Sequence, residues 1–467
     1  MKREDDELLR LFHLDTKIHE NAVQHALDKG FDISEANVFF QPECWDVWAD
    51  LIWNGQYHTA PTEEHYVCKK TGNPLSYEEA LKRDFVEVRK IYVMTKPDRV
   101  CWNAIYQVLY RAFSHLIHDR CCSYKKGEST KKVIQKVTKE LSSMPKYRGT
   151  KHDLTKYFDS VPITEIDKLF DELEALKPSC LWKVIREFYH DNRVIINGEM
   201  VEKFCSLKQG CAVSAFLSNL ILKDVDEYMS KQPVIYYRYS DDCIILGEGM
   251  KATKAAYDMQ NLLVKKGLSF NDKKTEFINE KRWVTFLGFK FRGTQVTVSQ
   301  KSLENITHKI KSETIFKCKQ LHRSLTKREV IKAIDNIQYY LFIGCKNHSY
   351  GMCGYLFGGV NDVVDIATLD AFAKDCIRAS LTNKCDIYGL SASYGEHGIV
   401  KGGFDKNGNY HAGKNVAMNL IKTDRMVNEL GWYSLVHMYK QYHCSTDVYK
   451  SEINKMKNGE CYQGENK

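Results

Sequence analysis

The chain has 467 residues and a net charge of +8, with 43% hydrophobic and 27% charged residues, values of an ordinary globular protein long enough for two or more cores. No uninterrupted apolar run approaches the ~20 residues that span a bilayer. The opening MKREDDELLRLFHLD lacks the apolar core of a signal peptide, so a cytoplasmic location and no membrane partner are expected. The mild positive balance suits a polyanionic partner. Sixteen scattered cysteines without a C-x-x-C pair, and sixteen histidines without H-E-x-x-H or finger spacing, argue for reduced structural thiols over disulfides or zinc.

Residues 1–75 read as a mostly helical extension. Leu8, Leu9, Leu11, Phe12 and Leu14 offer an apolar stripe, and Trp45, Trp48, Leu51 and Ile52 recur at helical spacing. The tryptophans fit a core or, alternatively, a platform on which unpaired bases stack. Residues 88–94 alternate as a strand, and residues 99–117 carry helical periodicity through Ala104, Ile105, Val108, Leu109, Ala112 and Leu116. Residues 151–163, KHDLTKYFDSVPI, set Asp153 and Asp159 in a largely apolar run, with Asp159 read as a helix N-cap or structural residue. Residues 206–222 begin as a turn at Lys208-Gln209-Gly210 and continue as a helix with Phe216, Leu217, Leu220 and Ile221 facing inward. The glycine lets the backbone approach a ligand closely.

Residues 234–247, VIYYRYSDDCIILG, are two runs of β-branched and aromatic residues around Ser240-Asp241-Asp242, the pattern of a hairpin. Two neighbouring carboxylates at the tip of a buried hairpin repel each other, and a cation relieves that repulsion. Oxygen ligands of this kind suit Mg²⁺, which binds one or two carboxylates and completes its shell with substrate phosphates. Asp153 is the third carboxylate. Residues 251–266 then read as an amphipathic helix, followed by LSFNDKKT at 268–275 and a tight apolar turn, FLGF, at 286–289. From 299 to 381 lysines and arginines cluster on predicted helices, Lys309, Lys317 and Arg323 among them. Residues 385–467 turn rich in Gly, Asn, Lys and Tyr. Loops or short hairpins are expected over 395–413, a last helix over 426–442, and disorder past Ser451.

Taken together, these motifs resemble those of reverse transcriptases. Tyr239-Ser240-Asp241-Asp242 is similar to the YxDD motif, and Asp153 to Asp159 (DLTKYFD) to the motif carrying the family's other metal-binding aspartate. RKIYVMTKPDR (89–99) and SYKKGEST (123–130) look like the fingers motifs, and LKQGCAVSAFLSNL (207–220) like QG-x-x-x-S-x-x-L-x-N. LSFNDKKT and FLGF look like the motifs that close the palm. The motifs follow in the family's order. Lys208 and Ala215 stand where intron-encoded relatives usually have proline, which marks a divergent branch.

The resemblance implies an α+β right-hand polymerase fold with small N- and C-terminal extensions. Its segments would be an extension over 1–75, fingers and palm over 76–298, a helical thumb over 299–384, and a C-terminal extension over 385–467. It implies an RNA-directed DNA polymerase with two Mg²⁺ ions, Mn²⁺ being the alternative, held by Asp153, Asp241 and Asp242. Lys274 would protonate the leaving pyrophosphate, with Lys273 adjacent. Arg89 would grip the triphosphate, Phe158 exclude a 2′-hydroxyl, and Gln209, Gly210 and Tyr239 line the nascent pair. Lys125, Lys126, Lys309, Lys317 and Arg323 would touch nucleic acid. Deoxynucleoside triphosphates, an RNA template and a DNA product are the implied partners, and self-association is compatible with all of this. Compactness and the missing nuclease pattern favour the antiphage defence branch, which works with a structured non-coding RNA encoded nearby. An intron or retron enzyme, or a degenerate RNA-binding scaffold, is the alternative.

Overall fold

The computed structural model describes residues 2–69, 72–84, 87–344, 351–382, 403–404, 410–411 and 427–457. The chain divides into two compact units, residues 1–129 with 146–280, and residues 130–145 with 281–467. The described residues show the mixed helix and sheet expected of the polymerase fold. None of their helices is long and apolar enough to cross a membrane, and no disulfide joins two of the described cysteines.

The strands of the first unit, in chain order, are β1 (Thr62–Cys68), β2 (Pro74–Leu75), β3 (Val88–Val93), β4 (Arg148–Asp153), β5 (Arg193–Ile196), β6 (Glu199–Glu202), β7 (Ile235–Tyr239), β8 (Asp242–Gly247) and β9 (Glu276–Asn279). They form two sheets. One runs β2-β1-β5-β6 with β3 also paired to β1, and the other runs β7-β8-β4-β9. The second sheet is antiparallel throughout, with β8 almost wholly buried.

The helix Lys96–Phe113 crosses the core of this unit. It starts at Thr95, whose hydroxyl accepts from the Asp98 amide, with Pro97 in the first turn, a position where proline's missing N–H costs nothing. Val100, Cys101, Ala104, Ile105, Val108 and Leu109 on it are fully buried. Trp45 and Trp48 are core residues, 1% and 8% exposed, with Trp45 donating its indole N–H to the Phe39 carbonyl. They offer no platform for bases.

Residues 1–75 carry helices from Arg3 to Trp53, and β1 and β2 follow them, with β1 joining the sheet of β3 and β5. Three expectations are corrected. First, Asp159 caps no helix; it lies inside the short helix Tyr157–Ser160, and Pro162 holds the cap position of the helix Ile163–Leu176. Second, the last helix expected over 426–442 is interrupted, with Leu435–Cys444 starting at the Ser434 cap. Third, Thr446–Lys457 is helical, with Tyr449 and Ile453 buried, so order continues past Ser451. Residues 458–467, and most of the loop expected over 395–413, lie outside the described residues.

The second unit is mainly helical, with Gln300–Glu313, Ile315–Leu321, Lys327–Gln338 and Val364–Thr382 as its chief helices. It also carries a small sheet of β10 (Val284–Phe286), β11 (Phe289–Arg292) and β12 (Gln295–Val298). Gly359 packs so closely on the Phe289 ring that a Cβ there would come within 2.3 Å of it.

Candidate active site

The β7–β8 hairpin is built from residues that favour strands, and its turn is the two residues Ser240-Asp241, since Tyr239 pairs with Asp242. Ser240 takes φ 58, a left-handed conformation that a non-glycine residue adopts only when its surroundings impose it. Asp153 ends β4 directly opposite Asp242, and the Leu154 amide donates to the Asp241 carbonyl at 2.9 Å. The segment after the helix Lys251–Lys265 returns alongside: the Asn271 amide donates to the Asp153 carbonyl at 2.7 Å. That return delivers Lys274, whose ammonium donates to both Asp153 carboxylate oxygens at 3.0 Å. Asp153, Asp241 and Asp242, far apart in sequence, are thus gathered at one sheet end. The cleft there, ≈ 300 Å³, is lined by Lys151, Asp153, Asp242, Lys273, Lys274, Thr275 and Glu276.

The electrostatics of the cleft follow from crowding like charges out of water. Burial, and after it the Asp153 carboxylate, raises the Asp241 carboxyl above its ordinary range against the pull of Lys274 and Arg89. Burial and then Asp241 push Asp242 up to about 6. Carboxylates held this way are poised for a cation. The donor set is oxygen only, which fits a hard divalent ion completed by substrate phosphates and water. Among the described residues no three His, Cys, Asp or Glu side chains make a metal cage by themselves.

Arg89 is exposed on β3, within electrostatic reach of Asp241. Lys69, in the turn after β1, was not singled out from the sequence. Its amide donates to the Glu87 carbonyl, and burial, then the nearby Lys274 and Arg89 cations, hold its ammonium below the ordinary range. Only the pairing of β1 with β3 reveals that neighbour. Phe158 is half-buried against the core and meets Tyr157 edge-on at 5.8 Å.

The Lys208-Gln209-Gly210 turn docks on β3, the Tyr92 amide donating to the Gln209 carbonyl at 2.7 Å. Gly210 is required there. It has φ 120, and a Cβ would fall 2.6 Å from the Tyr92 carbonyl oxygen. Lys208, the departure from the family pattern, is buried, and its ammonium donates to the Phe188 and Asp191 carbonyls at 2.9 Å each. These carbonyls lie at the C-terminal end of the helix Leu181–His190, where cations are favoured. The lysine thereby ties the turn to the end of that helix.

Lys125 pairs with Asp119 at 2.7 Å, and Lys126 lies over the Tyr110 ring at 5.0 Å. In the second unit Lys309 and Lys317 both pair with Glu313, at 2.7 and 2.5 Å, and Arg323 pairs with Glu329 at 2.7 Å. These three cations are therefore already engaged with neighbouring carboxylates.

The chain is 26% identical over 196 residues to the Retron Ec86 reverse transcriptase of Escherichia coli, a match covering 38% of this chain and 59% of that relative. It therefore spans about three-fifths of the curated relative's length. Among solved structures it is similar to apo telomerase from Candida tropicalis truncated from its C-terminal domain, with a TM-score of 0.38, 16% identity, and 56% and 61% of the two chains covered. It is also similar to telomerase from Candida albicans in complex with a TWJ fragment of telomeric RNA, with a TM-score of 0.42, 12% identity, and 82% and 58% covered. Residues 81–291 match the family described as reverse transcriptase (RNA-dependent DNA polymerase), and Asp153, Asp241 and Asp242 all fall inside that segment.

Proposed function

We propose that this chain is an RNA-directed DNA polymerase, in which a primer 3′-oxygen attacks the α-phosphate of a deoxynucleoside triphosphate and pyrophosphate leaves. The observation that carries the reading is the convergence of Asp153, Asp241 and Asp242 at one buried sheet end, beside Lys274. Asp153 and Asp241 would hold two Mg²⁺ ions, with Asp242 as a looser third ligand. When bound, such a pair sharpens the attacking oxygen and neutralises the leaving group. Arg89 grips the triphosphate through its planar fork, and Lys69 adds a second cation on the same side. Lys274 leaves Asp153 to give a proton to the departing pyrophosphate. Gln209, Gly210 and Tyr239 line the nascent pair, and the Phe286–Phe289 turn holds the primer end. Lys125 and Lys126, with Lys309, Lys317 and Arg323 once released from their carboxylates, follow the duplex backbone.

The fingers and palm would occupy residues 76–298, the thumb 299–384, and the flanking segments would be extensions. We place the enzyme in the cytoplasm, copying a structured non-coding RNA encoded nearby in antiphage defence. The match to a retron reverse transcriptase favours a second reading, in which that RNA is a retron transcript.

Purified protein supplied with Mg²⁺, deoxynucleotides and a primed RNA template should extend the primer. Asp241→Asn should lower the rate ~10²–10³-fold, the loss expected when a group bearing transition-state charge is removed. An Asp241→Asn protein that extends primers at the wild-type rate would refute the site. Phe158→Ala should admit ribonucleotides, read as the ratio of kcat/KM for the two sugars, and an unchanged ratio would remove Phe158 from the gate.

A further inference from the structure

We propose that Arg238, neutralised by Asp226, is the positioning residue that fixes the Ser240-Asp241 turn and hence the direction in which the cleft carboxylates point. The proposal rests on the polymerase reading above. Both side chains are fully buried, 0% exposed. The Arg238 guanidinium donates from Nε to Asp226 Oδ1 at 2.8 Å and from one terminal nitrogen to Oδ2 at 2.5 Å, a two-pronged fork. The same nitrogen donates to the Asn219 carbonyl at 3.2 Å, and the other terminal nitrogen donates to the Ser240 carbonyl at 3.1 Å. Tyr236 completes the pocket by donating its hydroxyl to Asp226 Oδ1 at 2.7 Å.

A buried ion pair is seldom kept for stability, since two apolar residues of similar volume usually serve as well. What apolar residues cannot supply is a donor aimed at a chosen acceptor. Here the acceptor is the carbonyl of the hairpin's strained residue, Ser240, whose own hydroxyl is buried without a hydrogen-bond partner. The guanidinium is therefore a side-chain donor that grips the turn at the Ser240 carbonyl. Asp226 takes up its charge, so the cation does not draw Asp241 inward.

The fork also anchors the turn to other elements. Asn219 exchanges hydrogen bonds with Ser123, its amide donating to the Ser123 carbonyl at 2.6 Å and its oxygen accepting from the Ser123 hydroxyl at 2.7 Å. The Arg238 backbone pairs with the same segment, its amide donating to the Arg120 carbonyl and its carbonyl accepting from the Cys122 amide, both at 2.9 Å. Lysine could hold Asp226 but could not reach Asp226, Asn219 and Ser240 together, because its donors spread from a single nitrogen.

The test compares Arg238→Met/Asp226→Met with wild type in the full chain. The double variant should keep its thermal midpoint within a few degrees and its affinity for the primed RNA template within twofold. The kcat for nucleotide addition should fall at least tenfold. Independently of activity, Mn²⁺ affinity of the protein without nucleic acid, read by electron paramagnetic resonance, should weaken at least threefold. A double variant with wild-type kcat and Mn²⁺ affinity would reduce the pair to packing and overturn the proposal. If the double variant fails to fold, Arg238→Lys replaces it, with at least fivefold loss in kcat expected and an unchanged kcat overturning the proposal. Asp241→Asn, run in parallel, separates the two readings: wild-type activity in that variant refutes the polymerase site itself, whatever Arg238 does.

Discussion

Lys274 donates to both oxygens of Asp153, so in this state an ammonium neutralises the carboxylate that a divalent ion would need. Ion and lysine then compete for one carboxylate. Lys274→Met should therefore tighten Mn²⁺ binding to the free protein several-fold, measured by calorimetry, while slowing nucleotide addition by about 10²-fold as the proposed general acid is lost. A variant that binds Mn²⁺ no better would show that the contact does not oppose the ion. The aspartates were legible in the sequence because charge set between apolar strands demands an explanation wherever it occurs. Lys69 and Lys208 were not. A single lysine in a turn has no signature, and its meaning depends on which strand or helix end folds against it. Arg238 was equally silent, since its carboxylate partner lies on the preceding helix, Lys223–Ser230, with no spacing rule to link them.

The β7–β8 hairpin and the helices Lys96–Phe113 and Lys251–Lys265 could be read from periodicity because their inward faces are apolar. β1 could not. Its sequence TEEHYVC turns Thr62, Glu64 and Cys68 inward, and Glu64 is accommodated by Lys203, by Lys90 at 3.3 Å and by the Tyr66 hydroxyl at 2.7 Å. A pattern that counts glutamate as outward-facing misses such a strand. The helix Gln300–Glu313 shows the same chemistry near the surface. Burial alone would raise the Glu313 carboxyl, but hydrogen bonds from Lys309, Lys317 and Asn336 bring it down to about 2. A carboxyl depressed on folding adds stability above its unfolded pKa, near 4.5, and that contribution is lost as pH falls toward 2. Glu313→Gln should therefore lower the thermal midpoint at pH 7, and the gap to wild type should close between pH 4.5 and pH 2. A gap independent of pH would mean that the carboxylate's charge contributes nothing.

At the scale of the whole chain, the family match ends at residue 291, yet the second unit keeps folding to residue 457. Asp370, on the helix Val364–Thr382, binds the late segment directly. It accepts from the Trp432 indole at 3.1 Å, the Ser434 hydroxyl at 3.0 Å and the Leu435 amide at 2.7 Å. Gln338 donates to the Gly431 carbonyl at 3.0 Å and accepts from the Tyr433 amide at 2.7 Å. Farther on, His443 hydrogen-bonds the Phe357 carbonyl at 2.9 Å, and Tyr439 donates to that of Val360 at 3.1 Å. The glycine- and lysine-rich composition after residue 385 hid this, because a few buried aromatics carry the packing. Trp432 is 1% exposed, so Trp432→Ala removes both a large buried ring and a hydrogen bond to Asp370. It should cost about 3–5 kcal/mol, the usual loss for a core aromatic, read as a lower midpoint of the denaturant transition of the second unit. Trp432→Phe keeps most of the ring but leaves Asp370 with one donor fewer, and should fall between wild type and alanine. A wild-type midpoint for Trp432→Ala would show that residues 427–457 are an appendage that the second unit does not need.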